Sequence, residues 1–148
     1  MRVREATRAD LPALVGLESA TLGGDAWTPH QVGEELERPG ATCLVAEDDG
    51  LVGLAFGWTV FEELQVMQVA VHPARRQQGL GQALLRALEE GARGAEVAFL
   101  EVRVDNDPAI RLYVGAGYRI ISRRPRYYAD GTDALVMRKG LRREPTPS

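Results

Sequence analysis

A basic turn and two ionisable side chains carry most of the chemistry in this 148-residue sequence. The turn is Arg75-Arg76-Gln77-Gln78-Gly79-Leu80-Gly81. An apolar run with Val66, Val69 and Val71 stops before it at His72-Pro73, and a helix-period stripe of Leu80, Leu84 and Leu88 follows. A strand turning tightly into a helix leaves backbone N–H groups without partners at the positive end of the helix dipole. Glycines let a ligand approach that backbone, and two arginines flank it, so the arrangement predicts a diphosphate site. The competing reading is an ordinary strand-to-helix turn with two solvated arginines. The turn has neither the Gly-Lys-Ser/Thr of a P-loop nor the third glycine of a dinucleotide fold. Its pattern is Arg76-x-x-Gly79-x-Gly81.

Glu101 stands in the apolar run Phe99-Leu100-Glu101-Val102-Arg103. Partial burial would raise a carboxylate's pKa and suit it to accept a proton near neutrality. A glutamate on a solvated strand face, paired with Arg103, is the alternative. Tyr113 carries a phenol of pKa about 10 that could protonate a leaving group, or it is a core aromatic on an amphipathic helix. Other reactive chemistries have no support. His30 and His72 have no second metal ligand at helical or strand spacing, so no metal is expected. Ser19 and Ser122 have no histidine nearby for a hydrolytic triad. Cys43, in the strand-like run ATCLVAE, reads as a small buried apolar residue.

The elements that must position these residues follow from periodicity and punctuation. A first strand over 1–6 leads to a helix capped by Asp10 with Pro12 in its first turn. Trp27-Thr28-Pro29 starts a second helix with Thr28 as cap, ended by Pro39-Gly40. Strands at 41–47 and 51–60 flank the hairpin signal Asp48-Asp49-Gly50, and a third strand ends at Val71. The helix after the basic turn runs to about Arg93. In the next strand, predicted over 95–104, Val97, Phe99, Glu101 and Arg103 share one face. Asp107 is the expected cap of a short helix with Pro108 at its first position, and Gly117 suits its C-terminal turn. Two antiparallel strands, 118–122 and 134–138, close the chain. The result is one α/β domain over 1–140, with 141–148 as a flexible tail.

The totals restrict function. Eighteen Lys and Arg against 21 Asp and Glu give a net charge of −3, which argues against direct nucleic-acid binding. One cysteine excludes an internal disulfide. No apolar run approaches the roughly 20 residues of a membrane span, and the N-terminus lacks a signal-peptide core, so no membrane partner and a cytoplasmic location are expected.

The basic turn resembles the acetyl-CoA pyrophosphate loop of the GCN5-related N-acetyltransferase (GNAT) superfamily, and the order of elements agrees over nearly the whole chain. Leu100-Glu101-Val102-Arg103, then Asn106, Ala109, Leu112-Tyr113 and Gly117-Tyr118, is similar to the signature of the ribosomal-protein alanine N-acetyltransferases, the RimI branch. The resemblance implies a mixed, mostly antiparallel sheet of roughly six to seven strands flanked by about four helices. That sheet would splay between the strand ending at Val71 and the strand Ala95–Val104, admitting the pantetheine arm. It implies cofactor contacts from Arg76, Gln77, Gln78, Gly79, Leu80, Gly81, Gln82 and Asn106, and from the backbone of Val69, Ala70 and Val71. A bulge near Val69–Val71 would leave N–H groups there to stabilise an oxyanion. Glu101 would be the proton acceptor, and Tyr113 would be the proton donor and a cofactor contact. Trp27, Tyr127 and Tyr128 would line the acceptor groove. The Arg-Arg-Gln-Gln order departs from the commoner pattern, which puts one arginine–phosphate contact in doubt.

The implied function is direct transfer from acetyl-CoA to the N-terminal α-amine of a protein, the alanine of a small-subunit ribosomal protein. The same fold acting on a small amine, an amino acid or a lysine is a rival. A non-catalytic acyl-CoA-binding module is a second, and the presence of both Glu101 and Tyr113 speaks against it. Oligomeric state stays open between a monomer and a weak dimer.

Overall fold

The computed structural model describes residues 1–141. Seven strands form one sheet: β1 (Arg2–Glu5), β2 (Ala41–Glu47), β3 (Leu51–Val60), β4 (Glu63–Val71), β5 (Val97–Arg103), β6 (Arg119–Arg124) and β7 (Ala134–Gly140). Their spatial order is β1-β2-β3-β4-β5-β7-β6. Four helices cover it: α1 (Leu11–Leu22), α2 (Pro29–Glu37), α3 (Leu80–Gly91) and α4 (Asp107–Gly115). Among the described residues no helix is long and apolar enough to cross a membrane.

The sheet is two antiparallel halves joined by one short parallel contact. β4 pairs with β5 only from Glu63 to Val66, against Val97 to Leu100. Beyond that β4 keeps only β3 as neighbour, and β5 keeps only β7. The two central strands therefore part, and a wedge opens between Met67–Val71 and Glu101–Arg103.

A bulge prepares β4 for this. Phe56 faces Gln68 and Gly57 faces Val66, so Met67 is an extra residue. One inserted residue reverses the side-chain alternation. Leu64 and Val66 pack with α3, whereas Ala70, also even-numbered, packs with α1 and α2. Val69 and Val71 are then on the α3 side. The bulge thus lies at Met67, ahead of the expected Val69–Val71. The hydrophobic pattern Val66-Met67-Gln68-Val69 does not by itself show where the parity changes.

Two apolar layers hold the sheet. Leu80, Leu84, Leu85 and Leu88 of α3 pack on Leu44, Ala55, Leu64, Leu100 and Met137. Leu14 and Leu17 of α1, with Val32 of α2, pack on Val45, Leu54 and Phe56 of the other face. In β5 the even residues Ala98, Leu100 and Val102 are buried under α3 and α4, which turns Glu101 and Arg103 to the opposite face.

The helix starts depart from expectation at two places. Asp10 occupies the N-cap position of α1 as expected, but its carboxylate accepts no cap bond from that helix. Its Oδ2 accepts from the Thr7 N–H at 2.7 Å, so the helical segment starts at Thr7 through a short 3-10 turn, and Asp10 also pairs with Arg4. In α4 the cap is Asn106, not Asp107: Asn106 Oδ1 accepts from Ala109 N–H at 3.2 Å, and Pro108 is second in the helix. An amide oxygen one residue earlier reaches the free N–H groups equally well. For α2, Thr28 and Gln31 form the expected reciprocal cap. At the C-terminus Leu141 is tied down by an N–H bond to Glu96 O at 2.9 Å, so the expected tail does not begin there; its remainder lies outside the described residues.

Candidate active site

The backbone builds the anion cradle. Pro73–Arg75 form a 3-10 turn whose cap is the His72 ring, with Nδ1 accepting from Ala74 N–H at 3.1 Å. Gln77 and Gly79 then adopt positive φ, 64° and 78°. The first bond of α3 is Ala83 N–H to Gly79 O, at 3.0 Å, which leaves the amides of Leu80, Gly81 and Gln82 without helical partners. Gly79 offers no side-chain cap either. Its glycine identity follows from φ, because the space around it is open. Gly81 has a different reason. A Cβ there would lie 3.1 Å from Leu112 Cδ2 and 3.7 Å from Val71 Cγ2, so the missing side chain seats α3 against α4 and β4 rather than making room for a ligand. Leu80 likewise contributes only its amide, since its side chain is buried.

The two arginines have separate tasks. Arg75 Nη1 pairs with Asp48 Oδ2 at 2.6 Å across the β2–β3 turn, and this holds the Asp48 carboxyl below its ordinary range. Arg76 is exposed and only touches the Val71 carbonyl through Nε at 3.4 Å. Arg76, Gln77 and Gln78 are the side chains left facing outward at the cradle.

Along the wedge, His72 N–H donates to Val52 O at 2.8 Å. Strand groups alternate, so the amide of Ala70 also points at β3, while those of Val69 and Val71 point into the wedge. Ala70 is therefore not part of the open row, contrary to expectation, and its methyl is buried on the α1 side. Val69 and Val71 present two N–H donors where a carbonyl entering from the cradle would develop charge.

Glu101 and Tyr113 lie on opposite faces of β5, and each lies near Tyr128. Tyr113, on α4, is 7% exposed and packs edge-on to Tyr118 at 6.0 Å. Its hydroxyl has no hydrogen-bond partner among the described residues, yet no buried side-chain oxygen is left unpaired, so that oxygen reaches solvent-accessible space. Burial pushes its pKa well above the ordinary value, and the nearby Tyr128 phenol adds to this. Tyr113 thus stays protonated at neutral pH. Glu101 Oε2 accepts from Tyr127 Oη–H at 3.3 Å, and Oε1 lies 3.5 Å from Arg124 Nε. Its ionic neighbour is Arg124, not the Arg103 of the alternative reading. The Glu101 side chain keeps 31% of its surface open.

Tyr128 joins the two sides. It is half-buried, lies edge-on to Tyr127 at 5.1 Å, and carries the Arg103 guanidinium 4.7 Å from its ring. Burial raises its pKa to about 12, with Tyr127, Asp25 and Glu101 acting in the same direction. A cleft of about 560 Å³ adjoins this group, lined by Gly24, Asp25, Arg103, Ala129 and Asp130.

Trp27 supports this region from below. Its ring stacks on Phe56 at 5.4 Å, and its backbone N–H donates to Glu18 Oε1 at 2.9 Å. The Gln68 amide accepts from Trp27 Nε1 at 3.1 Å and donates to Glu18 Oε2. Glu18 is fully buried, and that burial raises its pKa. This network ties the residue after the bulge to α1 and to the loop before α2. Glu18, Gln68, Asp25, Arg124 and Asp130 were not among the expected site residues. The one signal available was a glutamate on the apolar stripe of α1. Asn106 spends its carbonyl oxygen on the α4 cap, which leaves its amide nitrogen for a cofactor contact. Cys43 lies elsewhere, half-buried against the α2 end, with burial raising its thiol to about 12.

The sequence model of the Acetyltransferase (GNAT) family matches residues 5–118. The chain belongs to that family. It is 40% identical over 140 residues to the N-alpha-acetyltransferase RimI of Mycobacterium tuberculosis, covering 90% of this chain and 88% of that one. It is 36% identical over 133 residues to the [ribosomal protein bS18]-alanine N-acetyltransferase of Escherichia coli K12, covering 86% and 89%. The crystal structure of the ribosomal-protein-S18-alanine N-acetyltransferase from Escherichia coli superposes with a TM-score of 0.87 at 27% identity, over 97% of this chain and 96% of that one.

The chain is an acetyl-CoA-dependent N-acetyltransferase. Its own residues fit acetyl-CoA. The open amides of Leu80, Gly81 and Gln82, with Arg76 beside them, suit a diphosphate. The wedge and the amides of Val69 and Val71 suit an extended amide-bearing arm, which can add to β4 where β5 has left.

Proposed function

We propose that this GNAT acetyltransferase acetylates the N-terminal α-amine of a protein in the cytoplasm, the alanine of a small-subunit ribosomal protein, by direct transfer in a ternary complex. The observation that carries this reading is Tyr128, which lies near the Tyr113 phenol on one side and the Glu101 carboxylate on the other, beside the Tyr127 that bonds Glu101. Acetyl-CoA supplies the activated acetyl group. Glu101 takes the proton of the incoming amine, directly or through one water. The amides of Val69 and Val71 stabilise the charge that grows on the acetyl oxygen. Tyr113 holds a proton for the departing thiolate.

The two acceptor classes ask different amounts of a base. An α-amine has a pKa of about 7.7–8.0 and a lysine about 10.4. Near neutrality roughly a tenth of α-amines are already uncharged, against under ~0.1% of lysines. Glu101, partly open and shared with Tyr127 and Arg124, therefore has a small task with an α-amine and a large one with a lysine. The two relatives, an N-alpha-acetyltransferase and a bS18-alanine N-acetyltransferase, support the same acceptor.

Incubation with acetyl-CoA and peptides that differ only in their first residue tests this. The expected result is one acetyl group on the α-nitrogen, fastest for alanine-first peptides. Acetylation of lysine side chains with the α-amine untouched would overturn it.

A further inference from the structure

We propose that Arg103 is a positioning residue that clamps the two loops of the acceptor mouth together and so sets the apparent affinity for the protein substrate. This rests on the acceptor entering beside Tyr127 and Tyr128, as proposed above. Arg103 Nη1 bonds Asp25 Oδ2 at 2.8 Å, in the turn between α1 and α2. Its Nη2 bonds Asp130 and, at 3.0 Å, Thr132 Oγ1, both in the loop between β6 and β7. Its Nε lies 3.5 Å from Asp105, just beyond β5. The guanidinium plane also rests over the Tyr128 ring. One side chain on a central strand thus holds three separate connections.

A single exposed ion pair contributes little. This one differs in two respects. The Arg103 side chain is only 20% exposed, and the rigid fork of its guanidinium presents donors to two loops at once. Lysine has one nitrogen and cannot span both. The β6–β7 loop is knitted to itself as well, with Tyr128 N–H on Thr132 O at 3.1 Å and Thr132 N–H on Asp130 Oδ1 at 3.0 Å. It can therefore move as a unit against the α1–α2 turn, and Arg103 is what fixes the distance between them. A mouth ordered beforehand spares the substrate the cost of ordering it. Tyr128, beside both Tyr113 and Glu101, is the residue through which the clamp reaches the chemistry.

Steady-state kinetics of Arg103→Gln, with an alanine-first peptide and acetyl-CoA, tests the clamp. Peptide KM should rise roughly tenfold, with kcat and the acetyl-CoA dissociation constant little changed. Arg103→Lys should recover part of the loss. Asp130→Asn should raise peptide KM severalfold in the native background and add nothing in the Arg103→Gln background, since the partner is already gone. Additive effects, or equal losses for peptide and acetyl-CoA, would overturn the proposal. Amide hydrogen exchange needs no acceptor and separates this from the functional reading: Arg103→Gln should speed exchange at residues 23–27 and 125–132 together while α3 and β4 keep their protection. Unchanged exchange in those loops would sink the clamp even if the peptide is acetylated. A native enzyme that leaves the peptide untouched, with the two loops loosened in Arg103→Gln, would overturn the acceptor assignment alone.

Discussion

The two ends of the wedge are made of different material. At the cradle, the donors are main-chain amides of consecutive residues, Leu80, Gly81 and Gln82, aimed by one glycine of positive φ. At the acceptor mouth, the groups are side chains from three distant segments: Asp25, Glu101 with Arg103, and Arg124 with Tyr127, Tyr128 and Asp130. A main-chain cradle tolerates side-chain replacement so long as the turn keeps its shape. A side-chain mouth changes its chemistry with each substitution. A carrier that never varies suits the first construction, and an acceptor that varies among relatives suits the second.

Substitutions at each end can break or sharpen this contrast. The largest effect is expected for Glu101→Gln at the mouth. Turnover should fall by about 10²–10³-fold with acetyl-CoA affinity unchanged, as read by steady-state rates and calorimetric titration. Loss of acetyl-CoA binding would instead make Glu101 part of the carrier site. Tyr113→Phe should slow transfer by roughly tenfold or more. Its melting temperature should hold, because the hydroxyl has no hydrogen-bond partner to lose among the described residues. A native rate would remove Tyr113 from proton transfer.

At the cradle, Gly79→Asp should weaken acetyl-CoA binding by about tenfold, since a carboxylate would face the diphosphate at a φ of 78° that costs a non-glycine residue about 1 kcal/mol or more. Gly79→Asn, which tolerates that φ, should cost less; equal losses would point to backbone strain alone. Arg76→Ala should lower acetyl-CoA affinity severalfold, whereas Arg75→Ala should leave it intact and lower stability only slightly through the lost, solvent-screened Asp48 pair. The reverse outcome would reassign the phosphate contact.

The smallest effect concerns pH. Asp130, held by the Thr132 N–H and hydroxyl and by Arg103, titrates at about 2 in the folded chain instead of 3.8. The folded state thus binds fewer protons than the unfolded one between those values. Its contribution is complete above about 4 and disappears as pH falls towards 2. Asp10, held by Arg4, behaves likewise. Glu18 has the opposite sign, because burial raises its folded pKa and stability declines as pH rises past the unfolded value near 4.5. Melting curves between pH 2 and 4 should flatten in Asp130→Asn, and the decline above 4.5 should flatten in Glu18→Gln.

What was legible beforehand follows the same division. The cradle could be read because its parts are adjacent: Arg76-x-x-Gly79-x-Gly81 lies between an apolar run and a helical stripe, and local backbone geometry does the rest. Even there the residue types underdetermined their causes. Gly81 serves packing against Leu112, and Arg75 is drawn off to Asp48, a partner 27 residues away. The α4 cap moved by one residue because Asn106 and Asp107 both qualify locally.

Alternation, caps and the spacing of glycines settled the strands, the helices and the anion cradle, since each depends on interactions within about four residues along the chain. Three-dimensional packing alone decided the bulge at Met67, the burial of Glu18 beneath Trp27 and Gln68, and the choice of Arg124 over Arg103 as neighbour of Glu101. Those outcomes depend on which distant segments share space, and a local pattern carries no information about the distance between α1, β5 and the β6–β7 loop.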